Sequence, residues 1–446
     1  MNFVPLSVLI SVALVASVGG TAATAQHLPR PLDDSDFSVV SLEEAKLGQL
    51  LFYDPLLAGN RETACATCHH PAHGTGDGLS LSLGDGGMGL GPKRVVDPKN
   101  MPEQRVPRNA QPLFNLGFKG YVSLFHDGRV EADPERVGGL RTPLDEEMLA
   151  GFAGLVAAQT MFPVISADEM GGHYSENEVA KAVRLGRLTQ DDGAWSLIAK
   201  RVASIPEYAA AFAKVYPQIN APADIKFTDV ANAIAMFMEF EWRSDDAPFD
   251  AVLAGRSQFE ADAQAGADLF YGAAGCSSCH SGPLLSDFGF HATGQPQLGP
   301  GKGARFETHA RDEGRFRVTG NPDDLYAFRT PSLRNVTRTG PWGHAGAYSD
   351  LADFVVAHAD PVAALSSYDR SQAVLPQMDT VDWRVMDDPV EVAAIAAAVE
   401  VEPVFLTSAQ VAQITAFLKT LEDPQALTGR LGVPKSVPSG LTVPNP

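Results

Sequence analysis

Two copies of one five-residue motif constrain this chain more than anything else in it. Cys65-Ala66-Thr67-Cys68-His69 and Cys276-Ser277-Ser278-Cys279-His280 both read C-x-x-C-H. Two thiols at that spacing each bond a vinyl group of one haem, and the following His then reaches the iron axially. Three other readings compete. A redox dithiol belongs in a thioredoxin-like βαβ context, which neither copy has. One zinc shared by both pairs leaves each following His without a role. Two short-range disulfides leave both histidines unexplained as well. The motifs therefore read as attachment sites for two covalently bound c-type haems, with His69 and His280 as proximal ligands. That uses all four cysteines, so no thiol remains for catalysis.

The copies stand in repeated surroundings. Ala45-Lys46-Leu47-Gly48-Gln49-Leu50-Leu51-Phe52-Tyr53 recurs as Ala263-Gln264-Ala265-Gly266-Ala267-Asp268-Leu269-Phe270-Tyr271. His126-Asp127-Gly128 recurs as His344-Ala345-Gly346, and Arg108…Leu113…Asn115 resembles Arg329…Leu333…Asn335. Four matches in one order point to an internal duplication. The modules read as mainly α. Ser41-Leu42-Glu43-Glu44 is a capping box opening an amphipathic helix through Leu51, and Thr407-Ser408-Ala409-Gln410 opens another to about Leu421. Residues 176–215 and 228–243 carry helical periodicity, with Val230, Ile234 and Phe237 on one face. Long Gly/Pro-rich loops fill 74–117, 282–304 and 312–331, and few alternating runs suggest strands. After Ala426, repeated Pro and Gly predict an extended surface tail.

Charge and the first residues bear on partners and compartment. Hydrophobic residues make up 45% and the formal charge is −20. A sizeable core is expected, and nucleic acid and anionic membrane surfaces are excluded as partners. Small molecules or a basic protein remain. Phe3 to Val18 is an apolar run ending at Gly19-Gly20, with Ala23-Thr24-Ala25 before Gln26. This predicts a signal peptide over 1–25, cleaved after Ala25, and export to the periplasm, where c-type haem is attached. The run lacks Lys and Arg, so an uncleaved anchor is the alternative. No later stretch is long enough to span a bilayer, so no stable membrane insertion is expected.

A sixth iron ligand must come from His, Met, Tyr or a few others. Beyond the proximal pair, His70, His73, His173, His291 and His309 read as solvated loop residues, and His27 lies at the mature terminus. His126, His344 and His358 remain.

With two C-x-x-C-H modules in one exported chain, the sequence resembles the bacterial di-haem cytochrome c peroxidase superfamily. That superfamily includes the di-haem enzyme that matures the tryptophan-derived quinone of methylamine dehydrogenase. The resemblance covers about residues 40 to 425. Its pieces are Leu47-Gly48…Leu51-Phe52-Tyr53-Asp54-Pro55, Pro107-Arg108-Asn109-Ala110 and Phe125-His126-Asp127-Gly128-Arg129. Ile205-Pro206-Glu207-Tyr208 and Ser244-Asp245-Asp246-Ala247-Pro248-Phe249-Asp250 follow. Gly314-Arg315-Phe316 and Arg329-Thr330-Pro331-Ser332-Leu333-Arg334-Asn335 complete the set. It implies two cytochrome c-like haem domains. Residues 26–254 would hold the peroxide-reactive haem, 255–426 the electron-transfer haem, and 427–446 the tail.

The resemblance also assigns roles. It places the second haem's sixth ligand at His358, where the peroxidases have Met and the quinone-maturing enzyme has Tyr. The alternative is that His358 caps a helix and Met378 or Met386 serves. At the first haem the peroxidases carry a displaceable His, but the matching stretch here is Ser82-Leu83-Gly84-Asp85. Asp85, on a flexible Gly-rich loop, is a poor ligand, so an open or water-bound first iron is expected. His126 replaces the Trp that lies between the haems. The distal Gln aligns near Arg136, and the distal Glu is Glu169 of Glu169-Met170, with Glu147-Met148 as runner-up. Glu169, with a raised pKa, would shuttle peroxide's proton and Arg136 would stabilise the leaving oxygen. An ordinary solvated acid and a surface ion pair are the plainer readings of these two. A calcium ion would lie between the modules on Asn109, Thr339 and Pro341.

The function so implied is reduction of hydrogen peroxide to water with electrons from a small donor protein, such as a basic cytochrome c or a cupredoxin. One alternative is oxidation of a partner protein through a high-valent haem state. Another is a non-enzymatic electron-transfer cytochrome. A homodimer is among the assemblies allowed.

Overall fold

The computed structural model describes residues 28–445 apart from 137 and 304–306; the expected signal peptide and His27 lie outside the described residues. Two helix pairs organise it. Ser41 accepts the Glu44 N–H at 3.4 Å and so caps the helix Leu42–Phe52, although Glu44 does not return the bond that a full capping box requires. This helix crosses Phe227–Glu241 so closely that a Cβ on Gly48 would lie 1.8 Å from the Ala233 carbonyl oxygen. Phe52, Phe237 and Trp242 then meet edge-on or tilted, with ring centroids 5.2–5.3 Å apart. The helices Glu178–Arg184, Ala194–Ala203 and Pro206–Val215 complete this larger core through Trp195, Ile198 and Phe212.

The second pair repeats the device. Thr407 and Gln410 form a complete capping box on Ser408–Lys419, which packs against Ala261–Phe270. A Cβ on Gly266 would lie 1.9 Å from the Gln413 carbonyl oxygen. Phe270 and Phe249 close on Phe417 at 5.0 and 5.9 Å. In both pairs a glycine lets two backbones touch, and the chain leaving the first helix enters a C-x-x-C-H motif.

The expected scarcity of strands holds. The described residues contain three small antiparallel sheets of two, three and two strands. The loop 312–331 is broken by a short helix, Phe316–Thr319. The tail departs from expectation. It is extended but packed on the first core, with Val437 buried among it. Glu241 is the physical reason: its buried carboxylate accepts the N–H groups of Leu431 and Gly432 at 2.6 and 2.7 Å. Among the described residues no helix is long and apolar enough to cross a membrane.

The segments that follow the two motifs meet along a polar seam. The Arg329 N–H donates to the His126 carbonyl at 2.8 Å, and the Asn109 N–H to the His344 carbonyl at 2.9 Å. Arg108 pairs with Asp127 at 2.7 Å on its own side and with Asp312 at 2.6 Å on the other. All three side chains are buried.

Candidate functional site

Each C-x-x-C-H motif is a single tight turn that presents two thiols and then an imidazole. Cys65–Cys68 is one helical turn and Cys276–Ser278 a 3-10 turn. All four thiols are free. Burial pushes the free Cys65 and Cys68 thiols up to about 12 and Cys276 to about 11. His69 Nδ1 lies 3.0 Å from the Thr75 carbonyl oxygen, and His280 Nδ1 lies 3.0 Å from that of Leu285. A carbonyl only accepts, so Nδ1 carries the proton and Nε2 keeps its lone pair. Burial lowers the pKa of both rings and keeps them neutral. Two thiols and one oriented Nε2 at each motif fit a haem twice over.

His358 lies opposite the second motif. Asp350 caps its helix, Leu351–Ala359, accepting the N–H groups of Ala352 and Asp353 at 2.8 and 3.1 Å. The His358 ring packs on Phe354 at 4.4 Å, and its buried Nδ1 has no hydrogen-bond partner of good geometry. Burial first, then the His280 imidazole, push its pKa down to about 4, so the two rings lie within electrostatic reach. Met386 instead packs against the apolar cluster of Tyr326, Leu365 and Ile395.

At the first motif the chain gathers a different set. Glu169 sits on a π-helical turn, Ala167–Gly171, a geometry frequent at functional sites. Its carboxylate lies close enough to Cys68 and His69 to raise the pKa of each. Glu147 stands on a separate exposed turn, Asp145–Glu147. Gly84 presses against the same π-turn, where a Cβ would lie 2.1 Å from the Asp168 carbonyl oxygen. The Asp85 N–H then donates to the Glu169 carbonyl at 2.8 Å.

The Gly-rich loop, expected to be flexible, is tied down by hydrogen bonds along its length. Arg94 clamps it, donating to the carbonyls of Leu83, Gly84 and Gly89 at 2.5–2.7 Å. The Asp85 carboxylate is buried and held by Asn60 at 2.9 Å and Asn100 at 3.3 Å. Burial first, then Glu176, push it up to about 6. A buried carboxyl committed to two amides is a poor iron ligand.

Arg136 is not brought to this set. It is 38% exposed and pairs with Asp133 at 3.6 Å and Asp145 at 3.3 Å, because its loop is rich in acids. The cations that reach Glu169 are Arg129 and Lys302, each of which feels its charge. Arg129 stacks on Phe125 at 3.5 Å and pairs with Asp127 at 3.0 Å. Its signal was its place in the Phe125–Arg129 motif; Lys302, in a Gly-rich loop, carried none.

Other histidines also depart from the solvated reading. His70 is buried, accepting the Ala72 N–H at 3.1 Å and standing edge-on to Tyr53. A tight turn beside a core needs such a cap. His173 is buried too. His291 pairs with Asp287 at 2.9 Å and Glu400 at 3.5 Å, and His309 with Glu307 at 3.6 Å. His344 stacks flat on Phe328 at 3.8 Å, with both ring nitrogens buried and unpartnered. His126 lies at the module seam, its pKa pushed well down by burial, then by Arg108 and His344. Asn109 turns its amide N–H groups to the carbonyls of Leu79 and Ser80 at 2.8 and 3.3 Å, and Thr339 bonds the Val336 carbonyl at 3.1 Å. The Asn109 amide oxygen and the Thr339 and Pro341 carbonyls are oxygen donors of the hard kind that a calcium ion takes.

Comparison with known proteins agrees with this geometry. Residues 42–258 match a family model described as di-haem cytochrome c peroxidase. A cytochrome-c peroxidase of Denitromonas iodatirespirans is 30% identical over 350 residues, 74% of each chain. The methylamine utilization protein MauG of Methylorubrum extorquens is 29% identical, covering 69% of this chain and 66% of that one. Among solved structures, a MauG-like protein associated with microbial copper homeostasis superposes with a TM-score of 0.55 at 26% identity. That superposition covers 92% of this chain and 97% of the other.

Proposed function

The chain belongs to the di-haem cytochrome c peroxidase family, and from that premise we propose that it reduces hydrogen peroxide to water at the first motif with electrons entering through the second. It is an oxidoreductase of two haems. We take both as covalent c-type groups on Cys65/Cys68 and Cys276/Cys279, with His69, His280 and His358 as protein ligands. The modules are 26–254 and 255–426, related by duplication; the paired glycine crossings support this reading. Export to the periplasm fits the attachment chemistry, and calcium on Asn109, Thr339 and Pro341 would bridge the seam.

The single observation that carries the proposal is the asymmetry of the two sites. His358 stands within reach of His280, whereas the place of a sixth ligand at the first site holds a carboxyl tied to two amides. Bound haem supplies the iron that passes electrons to peroxide. Glu169 takes the proton of the incoming peroxide and returns it to the departing oxygen. Arg129 and Lys302, not Arg136, hold the positive field there. His126 lies where an electron crosses the seam. A surface of net charge −20 suits a basic donor such as a cytochrome c.

Steady-state oxidation of reduced basic cytochrome c by peroxide tests the proposal. Turnover that follows holo-protein concentration is expected. The likeness to MauG favours one second reading, oxidation of a partner protein; peroxide consumption without donor oxidation would select it. No reaction with peroxide would leave an electron carrier.

A further inference from the structure

Reduction of one peroxide to two waters consumes two protons as well as two electrons, so Glu169 must be resupplied in every turnover. A route runs through His173. Its backbone N–H donates to Glu176 Oε1 at 2.6 Å, and Asn60 ties that same oxygen to Asp85. His173 is therefore tied through its backbone to the Asp85 side of the Glu169 turn, four residues beyond Glu169. It is 8% exposed. Nδ1 faces outward, 3.7 Å from the half-exposed carboxylate of Glu103. Nε2 is buried without a hydrogen-bond partner, and so is Asp85 Oδ1. Such orphans cost about 1–3 kcal/mol each and gather at functional sites.

We propose that His173 is a positioning residue that relays protons from Glu103 at the surface to the Asp85 and Asp168 carboxyls beside Glu169. The inference rests on the peroxidase reading. Glu103 gives a proton to Nδ1 and Nε2 passes one inward, no electron moves, and rotation of the ring then lets solvent water take the Nδ1 proton and return one to Nε2, which restores the starting tautomer while Glu103 regains its proton from solvent. The charged groups facing the ring are Glu103, Glu176, Asp85 and Asp168. Both aspartates feel the ring, and burial raises the pKa of each, Asp85 to about 6, so each takes up a proton more readily than a free carboxylate. Gln104 fixes Asp168 at 2.7 Å, next in sequence to Glu103.

The test compares holo wild type, His173→Gln and Glu103→Gln in peroxide turnover across pH. Proton uptake is followed in parallel with an indicator dye. His173→Gln is expected to slow turnover by about 10²-fold, the lower end for a lost acid–base group. Its proton uptake should slow in step, and added imidazole should restore both. Glu103→Gln, on the surface, should shift the pH profile with a smaller loss. Unchanged rate and pH profile in both variants would overturn the relay. Slowed turnover in His173→Gln with wild-type proton uptake and no imidazole rescue would overturn it too, marking a structural role. A wild type that never turns over peroxide would instead refute the peroxidase reading.

Discussion

The backbone N–H of Asp85 donates to the carbonyl of Glu169 at 2.8 Å. One bond thus straps the loop that would carry a sixth ligand to the turn that carries the acid. With Arg94 holding the carbonyls of Leu83, Gly84 and Gly89, the loop has little freedom to close over an iron. Glu169 and Asp85 thus sit on two strapped segments of one element.

If Glu169 moves peroxide's proton, Glu169→Gln keeps the shape and removes the base. The reaction of the ferric protein with peroxide should slow by about 10²–10⁴-fold. Stopped-flow absorbance measures this, and the resting spectrum should not change. A rate within twofold of wild type would assign the proton to another group.

His358→Met replaces an imidazole facing His280 with a thioether. Met ligation raises the reduction potential relative to His, so redox titration should show one haem shifted upward. A Met-to-iron band should appear in the near infrared. A spectrum and potentials identical to wild type would remove His358 from the ligand set.

The seam should be acid-labile. Burial alone would raise the Asp127 carboxyl, yet Arg108 and Arg129 hold it at about 2; Arg108 likewise holds Asp312 well below the ordinary range. In the unfolded chain both return to about 4. Between these values the unfolded state binds more protons, so stability is full above about pH 4 and falls as pH drops toward the folded values. Asp312→Asn breaks a buried pair and should cost about 3–5 kcal/mol at neutral pH. It should also flatten the acid limb. Urea unfolding at neutral and acid pH reads both effects, and an unchanged slope would contradict them.

Much of this was legible in the residues, for physical reasons. A covalent attachment motif needs fixed spacing, so Cys65–His69 and Cys276–His280 announced themselves. Gly48 and Gly266 stood out as one position repeated, because only a residue without Cβ permits that crossing. What the chain concealed was assembled from distant segments. The resemblance aligns the distal Gln near Arg136, whereas the charges that converge on Glu169 come from Arg129 and Lys302. The tail looked solvated because the buried acid that orders it, Glu241, lies about 190 residues earlier. His70 and His173 are buried by neighbours that no local pattern reveals.

The repeated crossing gives a module-specific test. A Cβ at Gly48 or Gly266 would meet backbone oxygen at 1.8 or 1.9 Å. Overpacking of this kind costs about 1–3 kcal/mol or more. Mass spectrometry of the wild type should show the added mass of two haems. Gly48→Ala should lose occupancy at Cys65/Cys68 and Gly266→Ala at Cys276/Cys279. Free thiols in the wild type, or full loading in both variants, would refute the paired-module account.

The central claim is that the two irons differ at rest, the first open to peroxide and the second closed by His358. Electron paramagnetic resonance of the fully oxidised protein tests it most directly. One high-spin ferric signal and one low-spin bis-histidine signal are predicted, with the high-spin signal lost on adding peroxide without prior reduction. Two low-spin signals at rest would contradict the account.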